Sequence, residues 1–136
     1  MQHSAHQQPS TLFHIRDYRS GIRFLIDTGA DVSILPAKAT QRDLPPILHL
    51  YAANSTKIPV YSRRKEKVNL ALRRSFDWTF YVGEVSQAII GADLLGLYNL
   101  LVDVNGRRLI DPLTSISSPA QPVSGTAPWT PSPSTG

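Results

Sequence analysis

The chain has 136 residues and no cysteine. That excludes a disulfide framework, cysteine-ligated zinc, iron–sulfur clusters and a thiol nucleophile. Acid is in the minority, with 10 Asp+Glu against 14 Lys+Arg and a formal charge of +4. Such a balance permits acidic partners without requiring one. Aromatic residues make up 8%, which is lean for a protein that binds RNA by stacking. Long apolar runs are missing as well. The longest, Ala88 to Val104, is interrupted by Gly91, Asp93, Gly96, Asn99 and Asp103, so no membrane partner is expected. Met1 to Ser10 are polar and rich in Gln and His, with no apolar stretch for a secretory signal. The expectation is a soluble, intracellular, cytoplasmic protein. The length suits one domain with one modest core.

Charge is confined to Arg16 through Asp111. The last twenty residues, Ser117 to Gly136, are mostly Ser, Pro, Thr and Gly. They hold too little apolar surface to offset the entropy of ordering. The expected division is therefore a flexible segment at 1–10, a folded domain at 11–114 and a disordered linker at 115–136. Trp129 falls in that linker, as an exposed aromatic or a short docking motif.

Within the folded part, apolar residues alternate or form short runs rich in Val, Ile, Leu, Phe and Tyr. Expected strands are Leu12–Arg16, Ile22–Asp27, Val32–Leu35, Ile47–Ala53, Lys57–Tyr61, Lys67–Leu72, Phe76–Val82, Leu100–Val104 and Arg107–Ile110. A further short apolar strand precedes Gly91. Turns are expected at Asp17 to Gly21, at Asn54-Ser55 and at Asn105-Gly106, the last being the strongest hairpin signal. Only Ala92–Tyr98 reads as a helix, with Leu94, Leu95 and Tyr98 on one stripe. The fold class is all-β with one short helix.

Phe24-Leu25-Ile26-Asp27-Thr28-Gly29-Ala30 is the segment richest in chemistry. Three large apolar residues lead straight into Asp, Thr and Gly. A strand of that kind is buried on both faces, so Asp27 emerges from a core. Gly29 permits a turn that a Cβ obstructs. Thr28 brings a hydroxyl able to bond to backbone. The bland alternative is a strand ending in an Asx turn. A second segment, Ala88-Ile89-Ile90-Gly91-Ala92-Asp93-Leu94-Leu95, places an apolar strand before Gly91 and then begins the helix. Gly91 lets another backbone pass close by. Asp93 sits in the first helical turn, where negative charge is favoured.

Together these segments resemble the retropepsin-like aspartic proteases, above all the protease segment of Ty3/Gypsy-type LTR-retrotransposon polyproteins. Residues Tyr51 to Tyr61 resemble the family's flap, a mobile hairpin over the cleft. The likeness spans nearly all of Thr11–Thr114. It implies a half-barrel with a flap hairpin and one short helix. It implies Asp27 as the catalytic carboxylate, supported by Thr28, which bonds across a dimer axis, and by Gly29. Ala30, Asp31, Ala53, Asn54, Ser55 and Ile90 are the residues implied to meet substrate. Gly91 is implied to lie beneath the catalytic loop. No cofactor and no metal are implied. The natural substrate implied is the element's own Gag-Pol polyprotein, with a virus-like particle as one setting and the Ser/Pro tail as a spacer. Three positions depart from the family. Ala92 stands where many retroviral relatives have the Arg that pairs with the acid matching Asp31, which leaves Arg107 or Arg108 as substitutes. Ser62 follows the flap tyrosine, and Ser55 follows Asn54, where Gly is more usual. Both serines stiffen the flap.

Aspartic proteolysis needs two carboxylates about 3 Å apart that share one proton. The chain has one Asp-Thr-Gly. A C2 homodimer that pairs Asp27 with its symmetry mate is the simplest solution. An extended peptide added as a strand, with apolar residues around the scissile bond, is the expected substrate. The rival class is a catalytically silent dimerisation or binding module that keeps the fold. A retropepsin-like domain of a cellular ubiquitin-shuttle protein is a third reading, which the flap and the Ile90-Gly91-Ala92-Asp93 context fit less well. Arg63-Arg64-Lys65-Glu66-Lys67 with Arg73-Arg74 reads as a solvated strand edge or as a nucleic-acid contact. His3, His6, His14 and His49 show no metal-ligand spacing. Trp78 reads as core.

Overall fold

Phe13 and Ile15 alternate with polar residues, and their strand finds its partner across a tight turn. Strand β1 (Phe13–Arg16) pairs antiparallel with β2 (Arg23–Ile26). Gly21 takes a positive φ of 81° in the connection, a conformation that costs glycine little. The Asp17 carboxylate is buried there, but it accepts from the backbone N–H groups of Arg19, Ser20 and Asn69 and from the Ser20 hydroxyl. The computed structural model describes residues 12–122. The expected segment 1–10, His3, His6 and Trp129 lie outside the described residues.

The remaining elements are β3 (Ile34–Pro36), α1 (Ala39–Arg42), β4 (Leu48–Tyr51), β5 (Lys57–Asn69), β6 (Ser75–Gly83), β7 (Ala88–Ile90), α2 (Ala92–Leu97), β8 (Leu101–Asp103), β9 (Arg108–Asp111) and β10 (Ile116–Pro119). Seven strands form one sheet in the order β1-β2-β7-β3-β6-β5-β4. The other three form a small sheet in the order β10-β9-β8. Strand β2 runs parallel to β7, and β3 runs parallel to β6. Because β7 lies between β2 and β3, the chain leaving β2 must cross the end of β7 to reach β3. Residues 27–33 make that crossing, and Gly91 lies directly beneath it. Phe24, Phe76, Phe80, Ile90, Leu94 and Leu109 anchor one continuous core, with the Phe24 and Phe80 rings stacked at 5.5 Å.

The all-β class holds, and four local expectations change. The strands expected at Lys57–Tyr61 and Lys67–Leu72 are one strand, β5, which runs straight through the charged residues between them. It pairs with β6 from Val60 to Asn69, with an irregularity at Tyr61. Charge does not break it, because Arg63, Lys65 and Lys67 lie on the solvent face of the β5–β6 pair, while Val68, Phe76 and Phe80 lie on the face that packs into the core. Leu70 and Leu72 leave the strand at a turn where Ala71 and Arg73 take positive φ, yet both leucines are buried. The helical turn α1 was not expected. The backbone N–H of Lys38 donates to Gln41 Oε1 and secures its start.

The linker boundary moves as well. Ile116–Pro119 pairs with β9 although the linker was expected from residue 115. Ile116 packs against the core and Ser118 is buried. Composition averaged over a tail conceals one such anchor. The Asn105-Gly106 hairpin forms, but the left-handed residue in it is Arg107, at φ 54°. Gly106 instead donates its N–H to Asp103 Oδ1.

Candidate active site

Apolar Phe24, Leu25 and Ile26 bind β2 into the sheet between β1 and β7. The next backbone N–H, that of Asp27, continues the ladder to the carbonyl of Ile90 at 3.0 Å. The chain then turns. Ala30 N–H donates to the Asp27 carbonyl at 3.1 Å, and Gly29 N–H donates to Asp27 Oδ1 at 3.0 Å. A Cβ on Gly29 would stand 3.3 Å from that same oxygen. Asp27 is half-buried, while Thr28 and Gly29 are exposed. Among the described residues, Asp27 Oδ2 accepts no hydrogen bond. An Asx-type contact therefore exists, and it occupies one oxygen only.

The loop is clamped from below. Ala92 N–H donates to the Ala30 carbonyl at 2.7 Å. The carbonyls of Ala30 and Val32 lie so close to Gly91 that a Cβ there would come within 2.6 Å of the first and 2.5 Å of the second. Gly91 N–H donates to the Ser33 hydroxyl at 2.9 Å. That hydroxyl donates in turn to Asp93 Oδ1 at 2.6 Å, and Ser33 N–H donates to Asp93 Oδ2 at 3.0 Å. Asp93 also accepts from Leu94 N–H at 2.7 Å. It thus serves the helix start, as expected, and ties the helix to the loop as well. Ser33 was missed by sequence reasoning. Its only signal is a hydroxyl six residues beyond Asp27, in a stretch otherwise becoming apolar.

Beside the loop lies a depression of about 340 Å³, bounded by Thr28, Leu95, Gly96, Leu100, Leu101 and Val102. Leu101 on its rim is 51% exposed. Strand β8 is at the edge of its sheet.

Other site expectations fare differently. Ala30 is half-buried in the loop. Asp31 is exposed and forms no ion pair among the described residues. Neither proposed partner reaches it. Arg108 bonds Asp103 at 3.0 Å, and Arg107 donates to the Leu12 carbonyl and covers the Phe13 ring. Ile90 is fully buried, so its side chain serves the core and not a substrate. Strand alternation puts the half-exposed Ile89 on the other face.

Ala53, Asn54 and Ser55 form the exposed turn between β4 and β5. Asn54 Oδ1 accepts from Thr56 N–H, and Ser55 takes φ 67°. At the base of this hairpin the Tyr61 hydroxyl donates to Glu84 Oε1 at 2.7 Å. That bond, with some burial and the carboxylate's charge, holds the phenol above its ordinary range. Trp78 is half-buried against the core, and His14 bonds Gln87 at 2.9 Å.

No protein-family model matches the chain, and no curated protein matches it either. Solved structures do. The retroviral protease-like domain of Ddi1 from Leishmania major aligns with a TM-score of 0.62 and 22% identity, over 85% of this chain and 98% of that one. EIAV protease complexed with the inhibitor HBY-793 aligns with a TM-score of 0.49 and 17% identity, over 65% of this chain and 86% of that one. A retrotransposon origin is not among these likenesses. At such identities the relationship is one of architecture: the chain has the retropepsin-like fold of the aspartic-protease type.

Proposed function

We propose that the chain is an aspartic endopeptidase that acts as a homodimer. One observation carries this reading. Asp27 is held by backbone on one carboxylate oxygen and is open on the other, at the tip of a loop clamped from below. In a dimer, two such carboxylates share one proton, since like charges that close cannot both ionise. The ionised member takes a proton from a water. The protonated member donates to the scissile carbonyl as the water attacks. Proton return to the leaving nitrogen breaks the peptide bond.

The surface around the loop suits a second copy. The Thr28 hydroxyl has no hydrogen-bond partner among the described residues. Leu101 exposes apolar area beside it, on β8 at the open edge of its sheet. An extended peptide is the substrate class, covered by the Tyr51–Lys57 turn. Polyprotein processing in a Ty3/Gypsy-type element is the setting favoured by residues 24–31 and 89–95.

The test is cleavage of a peptide library rich in apolar–apolar junctions. Asp27→Asn should abolish cutting and leave folding nearly intact, because the amide carbonyl still accepts from Gly29 N–H. Specific activity should fall on dilution as dimers separate. Equal cutting by Asp27→Asn overturns the mechanism, and concentration-independent activity of a demonstrated monomer overturns the dimer. A dimer that cuts nothing favours the silent binding module.

A further inference from the structure

The long strand β5 carries a line of cations on one face. Arg63, Lys65 and Lys67 occupy alternate positions and are all exposed. Across the ladder they face Tyr81, Thr79 and Asp77 in register. Alternate residues of a strand repeat about every 6.6 Å, a spacing comparable to successive phosphates on an extended single strand. Arg19 extends the line, since its guanidinium donates to the Lys67 carbonyl at 3.1 Å. The intervening Arg64 and Glu66 project to the opposite face and pair with each other at 2.8 Å. One acid, Asp77, adjoins the line, 3.8 Å from Lys67.

Acids elsewhere do little to offset this face. The carboxylates of Asp17, Asp93 and Asp111 are committed to hydrogen bonds within the fold, and that of Asp103 to the Gly106 N–H and Arg108. Two features beside the cations suit planar bases. Tyr81 is half-exposed, with the Arg63 guanidinium 5.5 Å from its ring centre. A depression of about 310 Å³ opens between Lys65, Asp77, Trp78, Thr79 and Leu97, its one carboxylate being the Asp77 that lies 3.8 Å from Lys67. Regularly spaced cations with an aromatic alongside are what single-stranded nucleic acid requires.

We propose that this outer face of the β5–β6 arm binds single-stranded nucleic acid, with Arg19, Arg63, Lys65 and Lys67 on the phosphates and Tyr81 beside a base. The face is separate from Asp27 and does not depend on peptide cleavage. An acidic peptide is the competing occupant, and it lacks a use for the ring and the depression.

Fluorescence anisotropy with a labelled oligothymidylate of about twenty nucleotides tests this on the full chain. Binding should weaken steeply with salt. The combined variant Arg63→Gln/Lys65→Gln/Lys67→Gln should bind about tenfold or more weakly, with the log–log salt slope reduced by roughly two. Its melting temperature should match the parent's, and Arg64→Gln, on the opposite face, should bind as the parent does. No binding by the parent at low salt overturns the proposal, as does an unchanged affinity in the triple variant. Poly-glutamate that competes as well as the oligonucleotide, or a duplex that binds more tightly, also overturns it.

Discussion

The Asp93 carboxylate holds Ser33 with both oxygens, one on the hydroxyl at 2.6 Å and one on the backbone N–H at 3.0 Å. The two residues are sixty positions apart. Their bond joins the start of α2 to the chain that has just crossed over β7. Ser33 is fully buried, so the groups it offers have no water to fall back on. Asp93→Ala orphans the Ser33 hydroxyl and N–H together with the Leu94 N–H. The expected cost is about 3 kcal/mol in urea unfolding. Asp93→Asn keeps a carbonyl acceptor and should cost about 1 kcal/mol. Loss of less than that in the alanine variant would show that the clasp contributes nothing net.

How far the sequence foretold this site depends on the range of each interaction. Asp27 and Gly29 were legible because their roles are local: a strand ends, a turn follows, and the carboxylate accepts two residues on. Gly91 was legible as a place of close approach, since only glycine lacks a Cβ. Ser33 was not, because its partners lie on another strand and helix. Ile90 was misjudged for a related reason. In a run of two isoleucines, alternation says that they face opposite ways but not which way is inward. That is decided by packing under α2. Strand β5 was split by its charges, which matter little because Arg63, Lys65 and Lys67 share the solvent face while Val68 stays on the core face. Strand β10 was hidden because one half-buried isoleucine hardly alters the composition of a Ser/Pro tail.

Two glycines five positions apart should respond to alanine with opposite sign. At Gly91 the new Cβ meets the carbonyls of Val32 and Ala30 at 2.5 and 2.6 Å. Both are backbone, so the crossing itself must shift. Gly91→Ala should destabilise by about 3 kcal/mol and displace the Asp27 loop, with peptide cleavage lost. At Gly96, within α2, a Cβ meets nothing within 4 Å. Gly96→Ala should stabilise by about 0.5–1 kcal/mol through helix propensity and a stiffer unfolded chain. Denaturant unfolding of both variants at one low protein concentration makes the comparison. Equal effects would mean that Gly91 is not the pivot of the crossing.

The small sheet is fastened to the body by a buried carboxylate, and that sets an acid limit on the fold. Burial alone would raise the Asp111 pKa. Arg74 overrides it, with Nε on Oδ2 at 2.7 Å and Nη2 on Oδ1 at 3.1 Å, and Leu113 N–H adds a third bond. The carboxyl is thereby held below its ordinary range. The guanidinium is itself fixed over the rings of Phe76 and Tyr98. Asp103 is lowered too, first by the Gly106 N–H and then by Arg108. A carboxylate more acidic in the folded state than in the unfolded chain stabilises fully above the unfolded pKa. That contribution is lost as pH falls through the folded one. Stability should therefore hold through mildly acidic conditions and decline below about pH 4. Thermal melts from pH 7 to about pH 2 should show the decline, shallower in Asp111→Asn, which carries no titrating group at that position. Arg74→Met should cost about 3–5 kcal/mol at neutral pH, because it leaves the buried charge of Asp111 unpaired. Its loss should shrink on acidification, as protonation removes that charge. A penalty for Arg74→Met that is independent of pH would mean that the arginine contributes packing against Phe76 and Tyr98 and no electrostatic anchor.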